Sequence, residues 1–205
     1  MSTYLDRILN DGTDRAGWES ARRPVIGASD AAHFARLSSV DKYLAAKLGH
    51  GAFHGNTFTE SGHRWEPMML AWAGIPQNAA LFHSPGEPGF AATPDGIDSL
   101  DSGRLRLAEC KAKHNKIVDG PSPSEWRQLA FQFAVLPEAV ETEFIWVELD
   151  AAGEIRAGRS GEPCSVTIRR DGPRIIKATA QIMPIAADLL PRLRAALDFE
   201  RSLAA

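Results

Sequence analysis

The stretch RLRLAECKAK, residues 104–113, constrains this chain more than any other segment. It alternates as a β-strand does. Successive side chains on a strand point to opposite faces, so Leu105 and Leu107 share one face. The next residues on that face are Glu109 and Lys111. A face that begins as core therefore ends in a carboxylate and an ammonium. Withdrawing such ions from water costs several kcal/mol each unless something compensates them. The fold has to bring charge to the end of this strand.

Asp95, in ATPDGI, is the first candidate. Residues 96–108 leave thirteen positions between it and Glu109. A strand, a turn at SLDSG and a return strand fill that span, which predicts Asp95 and Glu109 side by side at neighbouring strand ends. Two adjacent carboxylates repel, and a divalent cation reverses their preference for protonation. Oxygen-rich sites with few protein ligands suit Mg²⁺ or Mn²⁺, which keep several waters and accept phosphate as a further ligand. Lys111 is then placed to orient or deprotonate an attacking water. Each fragment alone is ordinary, since Pro-Asp-Gly is a common turn and Glu-x-Lys often an exposed pair. Their conjunction on an otherwise apolar strand points to a metal site.

Of the 205 residues 44% are apolar, and no apolar run approaches the ~20 needed to span a membrane as a helix. One globular domain with a sizeable core is expected, with no membrane partner. The net charge of −3 (23 basic, 26 acidic residues) neither advertises nucleic-acid binding nor excludes a basic groove. The two cysteines, Cys110 and Cys164, form no CxxC pair, so neither a disulfide framework nor a Cys-rich zinc site is expected. The opening MSTYLDRILNDG has no signal-peptide pattern, and a cytoplasmic setting in a bacterial or phage-infected cell is the expectation. His50 and His54 are four apart, but in a Gly-rich loop with no following Glu, unlike a metalloprotease helix.

The chain divides into an N-terminal helical part (about 1–58), a core (about 59–170) and a C-terminal helix (about 171–205). In the first part, AGWESARR reads as a helix ending before Pro24, and Gly27 and Ser29 as a turn and an N-cap for a helix from Asp30. A longer helix over 59–73 closes at Gly74. Trp65 and Trp72, seven apart on it, read as packing residues. Short strand-like runs follow at AALFHS, GFAAT, GIDSL and RLRLAECK, then a helix from Pro123, strands at EFIWVELD and CSVTIRR, and a last helix with Pro184 and Pro191 as expected kinks. This order predicts an α+β (mixed α/β) fold around a central mixed sheet of about five strands flanked by helices.

The Pro94-Asp95 and Glu109-Cys110-Lys111 pattern resembles the PD-(D/E)xK nuclease superfamily, which has a restriction-endonuclease-like core. Further stretches resemble its lambda-exonuclease and YqaJ-like viral recombinase family, the phage-type alkaline exonucleases. GHRWEPMMLAWAG (62–74) is similar to the helix before the core, with Glu66 in its G-x-x-x-E setting. WESARRPVIGASDAA (18–32) resembles the N-terminal motif, an Arg seven residues before a Ser, hence Arg22 and Ser29. EWRQLAFQFAV (125–135) is similar to the helix after the catalytic strand and supplies Gln128. The family often has Gln-x-Gln here, whereas this chain has Ala130 at the second position. The match covers about residues 18–150, and beyond that only the pattern of a strand and a helix continues.

The resemblance implies metal ligation by Asp95, Glu109 and the backbone carbonyl of Cys110. The cofactor would be Mg²⁺, with Mn²⁺ as a substitute and two ions during turnover. Lys111 would position the water, Glu66 would serve a second metal or a water, and Gln128 would hold Lys111 or a phosphate. Arg22, Ser29 and Thr93 would receive the 5′-phosphate of the digested strand, with Arg23 as the neighbouring alternative to Arg22. The residues themselves allow this, because a helix N-terminus, a hydroxyl and a guanidinium all bind phosphate. They equally allow Ser29 to be a plain N-cap. The activity implied is 5′→3′ digestion of one strand of linear double-stranded DNA, leaving 3′ overhangs for recombination by strand annealing. A ring-shaped homotrimer and a single-strand annealing protein would be its partners. The rival readings are a restriction-type or RecB-like endonuclease of the same superfamily, and a catalytically silent DNA-end binder.

Overall fold

Asp95 lies where two sheets meet, and the rest of the fold is arranged around that seam. The structure, a computed structural model, describes residues 3–49, 57–156 and 161–204, with the side chains of 57–63, 102 and 204 set aside. His50 and His54 fall outside those residues. In chain order the elements are β1 (Ile8–Asn10), α1 (Arg15–Arg22), β2 (Ile26–Gly27), α2 (Ala28–Ala31), α3 (Val40–Leu48), α4 (Thr57–Ala73), β3 (Leu81–His83), β4 (Phe90–Ala92), β5 (Gly96–Ser99), β6 (Leu105–His114), α5 (Pro123–Val135), β7 (Ala139–Leu149), β8 (Cys164–Arg169) and α6 (Pro173–Ala204).

The α+β class is as expected, but the strands form two four-stranded sheets, ordered β1-β3-β4-β2 and β5-β6-β7-β8. The chain leaves the first at the end of β4, passes through Thr93-Pro94-Asp95, and enters the second at Gly96. A single sheet of five was expected because strand pairing over such distances leaves no local trace in the sequence. The second sheet is built on β6 and β7, paired in parallel from Leu105↔Ala139 to His114↔Leu149. Parallel neighbours need a crossover, and α5 supplies it.

A parallel pair is buried on both faces, and here the two faces differ. Leu105, Leu107, Phe144 and Trp146 pack with α5 and α6 in the larger core. Ala108, Cys110, Ile145 and Val147 face the other way, against Met69 and Leu70 of α4. Glu109 follows Leu107 on the α5 side. Helix α5 begins as its sequence directs: Pro123 occupies the first turn, the Ser122 hydroxyl accepts from the Glu125 N–H (3.4 Å), and the Glu125 carboxylate accepts from the Ser122 N–H (2.7 Å). Helix α6 runs through Pro184 and Pro191 as one element.

Trp72 departs from expectation, being 45% exposed. Trp65 does pack against the core that Met69 and Leu70 bury. Trp65 is covered by the turn after β7, where its indole N–H donates to the Gly153 carbonyl at 3.4 Å, and Trp72 lies a further two turns along.

Candidate active site

Strand β6 carries Glu109 into the core end-on. Its side chain is 2% exposed, and three donors meet it. Lys111 Nζ and Gln128 Nε2 (2.6 Å) donate to Oε1, and Gln132 Nε2 donates to Oε2 at 2.6 Å. Gln128 and Gln132 are one turn apart on α5, so their side chains stack on one helix face. Gln128 thus holds Glu109, where the sequence reading had it holding Lys111 or a phosphate. Gln132 was missed altogether. Its signal was the four-residue spacing from Gln128 on a helix face otherwise apolar, which supplies through the next turn what a second Gln at position 130 cannot.

Asp95 reaches the same place from the seam between the sheets. Its Oδ2 accepts from the Cys110 N–H at 2.6 Å, and its own N–H donates to the Ala108 carbonyl at 3.1 Å. Asn78, another residue the sequence did not single out, braces this link. Its N–H donates to the Asp95 carbonyl and its Nδ2 to the Pro94 carbonyl, each at 2.8 Å. Gly96 is required by close approach, because a Cβ there would lie 2.8 Å from Leu70 Cδ2 and 2.9 Å from Ile75 Cγ2. Glu66, one turn before Leu70 on α4, is held by Gln77 Nε2 at 3.1 Å.

The electrostatics follow from this crowding. Loss of water contact and then the charge of Glu109 push the Asp95 carboxyl well above the usual carboxylate range, Glu66 adding to the effect and Lys111 opposing it. For Lys111, desolvation works against the ammonium, but Glu109 and Asp95 outweigh it and hold the pKa above its ordinary value. Burial, reinforced by Asp95 and Glu109, raises the Cys110 thiol, so that side chain stays a neutral thiol and plays no acid–base part. The site is therefore short of positive charge, a deficit of the kind that a bound cation offsets. Among the described residues no three His, Cys, Asp or Glu side chains are grouped to hold an ion. Two carboxylates, a main-chain carbonyl and waters make a donor set that suits Mg²⁺.

The second group of candidates opens onto the same space. A cleft of about 430 Å³ is lined by Asp95, Glu109, Lys111 and Gln128, and also by Arg22, Ser29 and Thr93. Arg22 Nη2 donates to Ser29 Oγ and, at 3.2 Å, to Asp30 Oδ1. Ser29 is not an N-cap: Gly27 holds that position for α2, and the Asp30 carboxylate accepts from the Gly27 N–H at 2.8 Å. Of the two adjacent arginines Arg22 lines the cleft, whereas Arg23 pairs with Glu200 of α6 and does not. The Thr93 hydroxyl is buried there with no hydrogen-bond partner among the described residues.

The second sheet thus brings together one acid from the strand junction, Asp95, and an acid–lysine pair from the adjoining strand, Glu109 and Lys111. Solved exonucleases share this chain's fold. An alkaline exonuclease (LHK-Exo) from Laribacter hongkongensis matches with a TM-score of 0.63 at 20% identity, over 93% of this chain and 100% of that one. The same exonuclease in complex with dAMP matches with a TM-score of 0.60, again at 20% identity. A phage-related exonuclease from Haemophilus somnus 129PT matches with a TM-score of 0.55 at 14% identity, over 94% of this chain and 93% of that one. No family model matches the chain, and no curated protein matches it.

Proposed function

We propose that this protein is a Mg²⁺-dependent exonuclease that digests one strand of linear duplex DNA from a phosphorylated 5′ end, leaving a 3′ overhang. The observation that carries the proposal is the single cleft. It joins an acidic pair with its lysine to an arginine–serine pair suited to a terminal phosphate. The likeness in fold to exonucleases, one of them solved with a nucleotide, supports the same class of substrate.

Asp95, Glu109 and the Cys110 carbonyl would hold the ion, with Glu66 beside them for a second ion or a water. When bound, such an ion polarises the phosphoryl group, lowers the pKa of water and stabilises the leaving oxygen. Around it the protein's own groups have distinct tasks. Gln128 and Gln132 fix both oxygens of Glu109, so the carboxylate is oriented before substrate arrives. Lys111, kept protonated by its two acidic neighbours, acts as a cation rather than a base: it orients the attacking water and meets charge building on the phosphoryl oxygens. Arg22 and Ser29 offer donors to the terminal phosphate, and the Thr93 hydroxyl is free to add another.

Among the described residues no helix is long and apolar enough to cross a membrane. A cytoplasmic setting belongs to the same reading. A ring-shaped homotrimer around DNA, passing the 3′ strand to a single-strand annealing protein, completes it. Such a ring would reconcile a net charge of −3 with DNA binding, since only the inner wall has to be basic.

The test is digestion of end-labelled linear duplex bearing a 5′-phosphate, the same duplex bearing a 5′-hydroxyl, and a closed circle, with and without Mg²⁺. Metal-dependent loss of the 5′-phosphorylated strand with the circle spared is expected. Nicking of the circle would move the protein to the endonuclease reading, and binding without cleavage to a silent end binder.

A further inference from the structure

Arg22 poses an electrostatic problem for any anion that it is to bind. The Asp30 carboxylate lies 3.2 Å from its guanidinium, and a lone Asp so close would cancel the charge that attracts phosphate. A third ion is present. Lys47, in the last turn of α3, places Nζ 2.7 Å from Asp30 Oδ2 and 3.3 Å from the Arg22 carbonyl oxygen, with its side chain only 9% exposed. Desolvation pushes the Lys47 pKa below its ordinary value, and Asp30 works to restore it. This is a costly place for an ammonium unless the charge is used.

Lys47 does not line the cleft, whereas Arg22 and Ser29 do. We propose that Lys47 is a positioning residue for the phosphate pocket: by neutralising Asp30 from behind, it leaves the charge of Arg22 free to receive a terminal phosphate. Asp30 then serves as a bracket. It takes the Gly27 N–H and Lys47 on Oδ2 and steers Arg22 with Oδ1. The Trp18 ring, 5.4 Å from the Arg22 guanidinium carbon, backs the group. The cluster of two cations and one anion carries one positive charge in excess, which favours an anion at Arg22. In the simplest structural alternative Lys47 only ties the end of α3 to α1. The inference rests on the phosphate-pocket reading above.

A charge-cancellation cycle separates these roles. The affinity of the full-length protein for a short duplex with a 5′-phosphate is divided by that for the same duplex with a 5′-hydroxyl, in Ca²⁺ to prevent turnover. Lys47→Met leaves Asp30 to neutralise Arg22 and should reduce the ratio on the order of tenfold, the scale of one charge-assisted contact. Asp30→Asn with Lys47→Met removes both buried charges, retains an oxygen for the Gly27 N–H, and should restore the ratio to within about threefold of wild type. A lysine that only ties α3 to α1 would change stability in the single variant and leave the affinity ratio unchanged. A ratio that survives Lys47→Met, or a double variant no better than the single one, overturns the proposal. If Lys47→Met does not fold, the double variant decides alone, because a ratio near one contradicts the charge argument. A wild-type ratio near one would instead sink the phosphate-pocket reading itself.

Discussion

Asp95→Asn should stabilise the metal-free protein, even as it removes a residue that we place at the centre of function. The Asp95 carboxyl is raised well above its ordinary value by loss of solvent and by Glu109, whereas in the unfolded chain it titrates near ~3.9. The folded state therefore holds this proton more tightly than the unfolded state does. Stability falls as pH climbs from the unfolded value through the folded one. Part of Asp95 opens to the cleft, so we take the effect as about 1.4 kcal/mol, toward the low end of the ~1–3 kcal/mol cost of a poorly compensated buried polar group. Asparagine keeps an oxygen for the Cys110 N–H, now 2.6 Å from Oδ2, and removes the charge. For a domain of this size a gain of about 1.4 kcal/mol raises Tm by about 3–6 °C. Differential scanning calorimetry in EDTA at pH 7.5 should show that gap, and it should narrow at pH 4. A variant no more stable than wild type at pH 7.5 would refute the electrostatic account of the site. With Mg²⁺ added the order should reverse, because only the wild type gains binding free energy in full.

Other substitutions probe the remaining parts. Lys111→Ala should slow single-turnover cleavage by ~10²-fold or more while leaving DNA affinity in Ca²⁺ largely intact; unchanged cleavage removes Lys111 from the mechanism. Gln132→Leu should raise the Mg²⁺ concentration needed for half-maximal cleavage by about 10-fold or more, the usual scale for a residue that orients a metal ligand; an unaltered Mg²⁺ curve would make Gln132 a packing residue only. Arg22→Ala should abolish preference for 5′-phosphorylated ends in competition digests, and Arg23→Ala, which breaks only the pair with Glu200, should preserve it. Gly96→Ala should destabilise the fold by about 1–3 kcal/mol, because the new methyl meets Leu70 and Ile75, and thermal unfolding reads this directly.

How far the site was legible depended on how local its signals are. The strand at 105–114 announced itself because Leu105, Leu107 and Glu109 alternate, and the structure buries all three. Asp95 was legible from the length of chain before Glu109, which fits the antiparallel return of β5 onto β6. Gln132 was hidden because one amide among Leu129, Phe131 and Phe133 reads as an interruption of packing, and only the position of β6 beneath α5 reveals its partner. Gln77 and Asn78 act on Glu66 and Asp95 across gaps that no local pattern encodes. Ser29 reads from the sequence both as a helix cap and as a phosphate ligand, because its residue type suits either role. The actual cap pairs Gly27 with Asp30, and Ser29 is left for Arg22. The division into two sheets was likewise illegible, since short strands such as Ile26–Gly27 and Phe90–Ala92 find their partners only after the chain has collapsed.

The central claim is that Asp95 and Glu109 form a metal-dependent centre for phosphodiester hydrolysis. Its most direct test is the rate of nucleotide release from a 5′-phosphorylated linear duplex, measured across a Mg²⁺ titration for wild type and Glu109→Gln. The account predicts release that rises with Mg²⁺, stops in EDTA, and falls by ~10²-fold or more in the variant. Release in EDTA, or a variant as fast as wild type at every Mg²⁺ concentration, would contradict it.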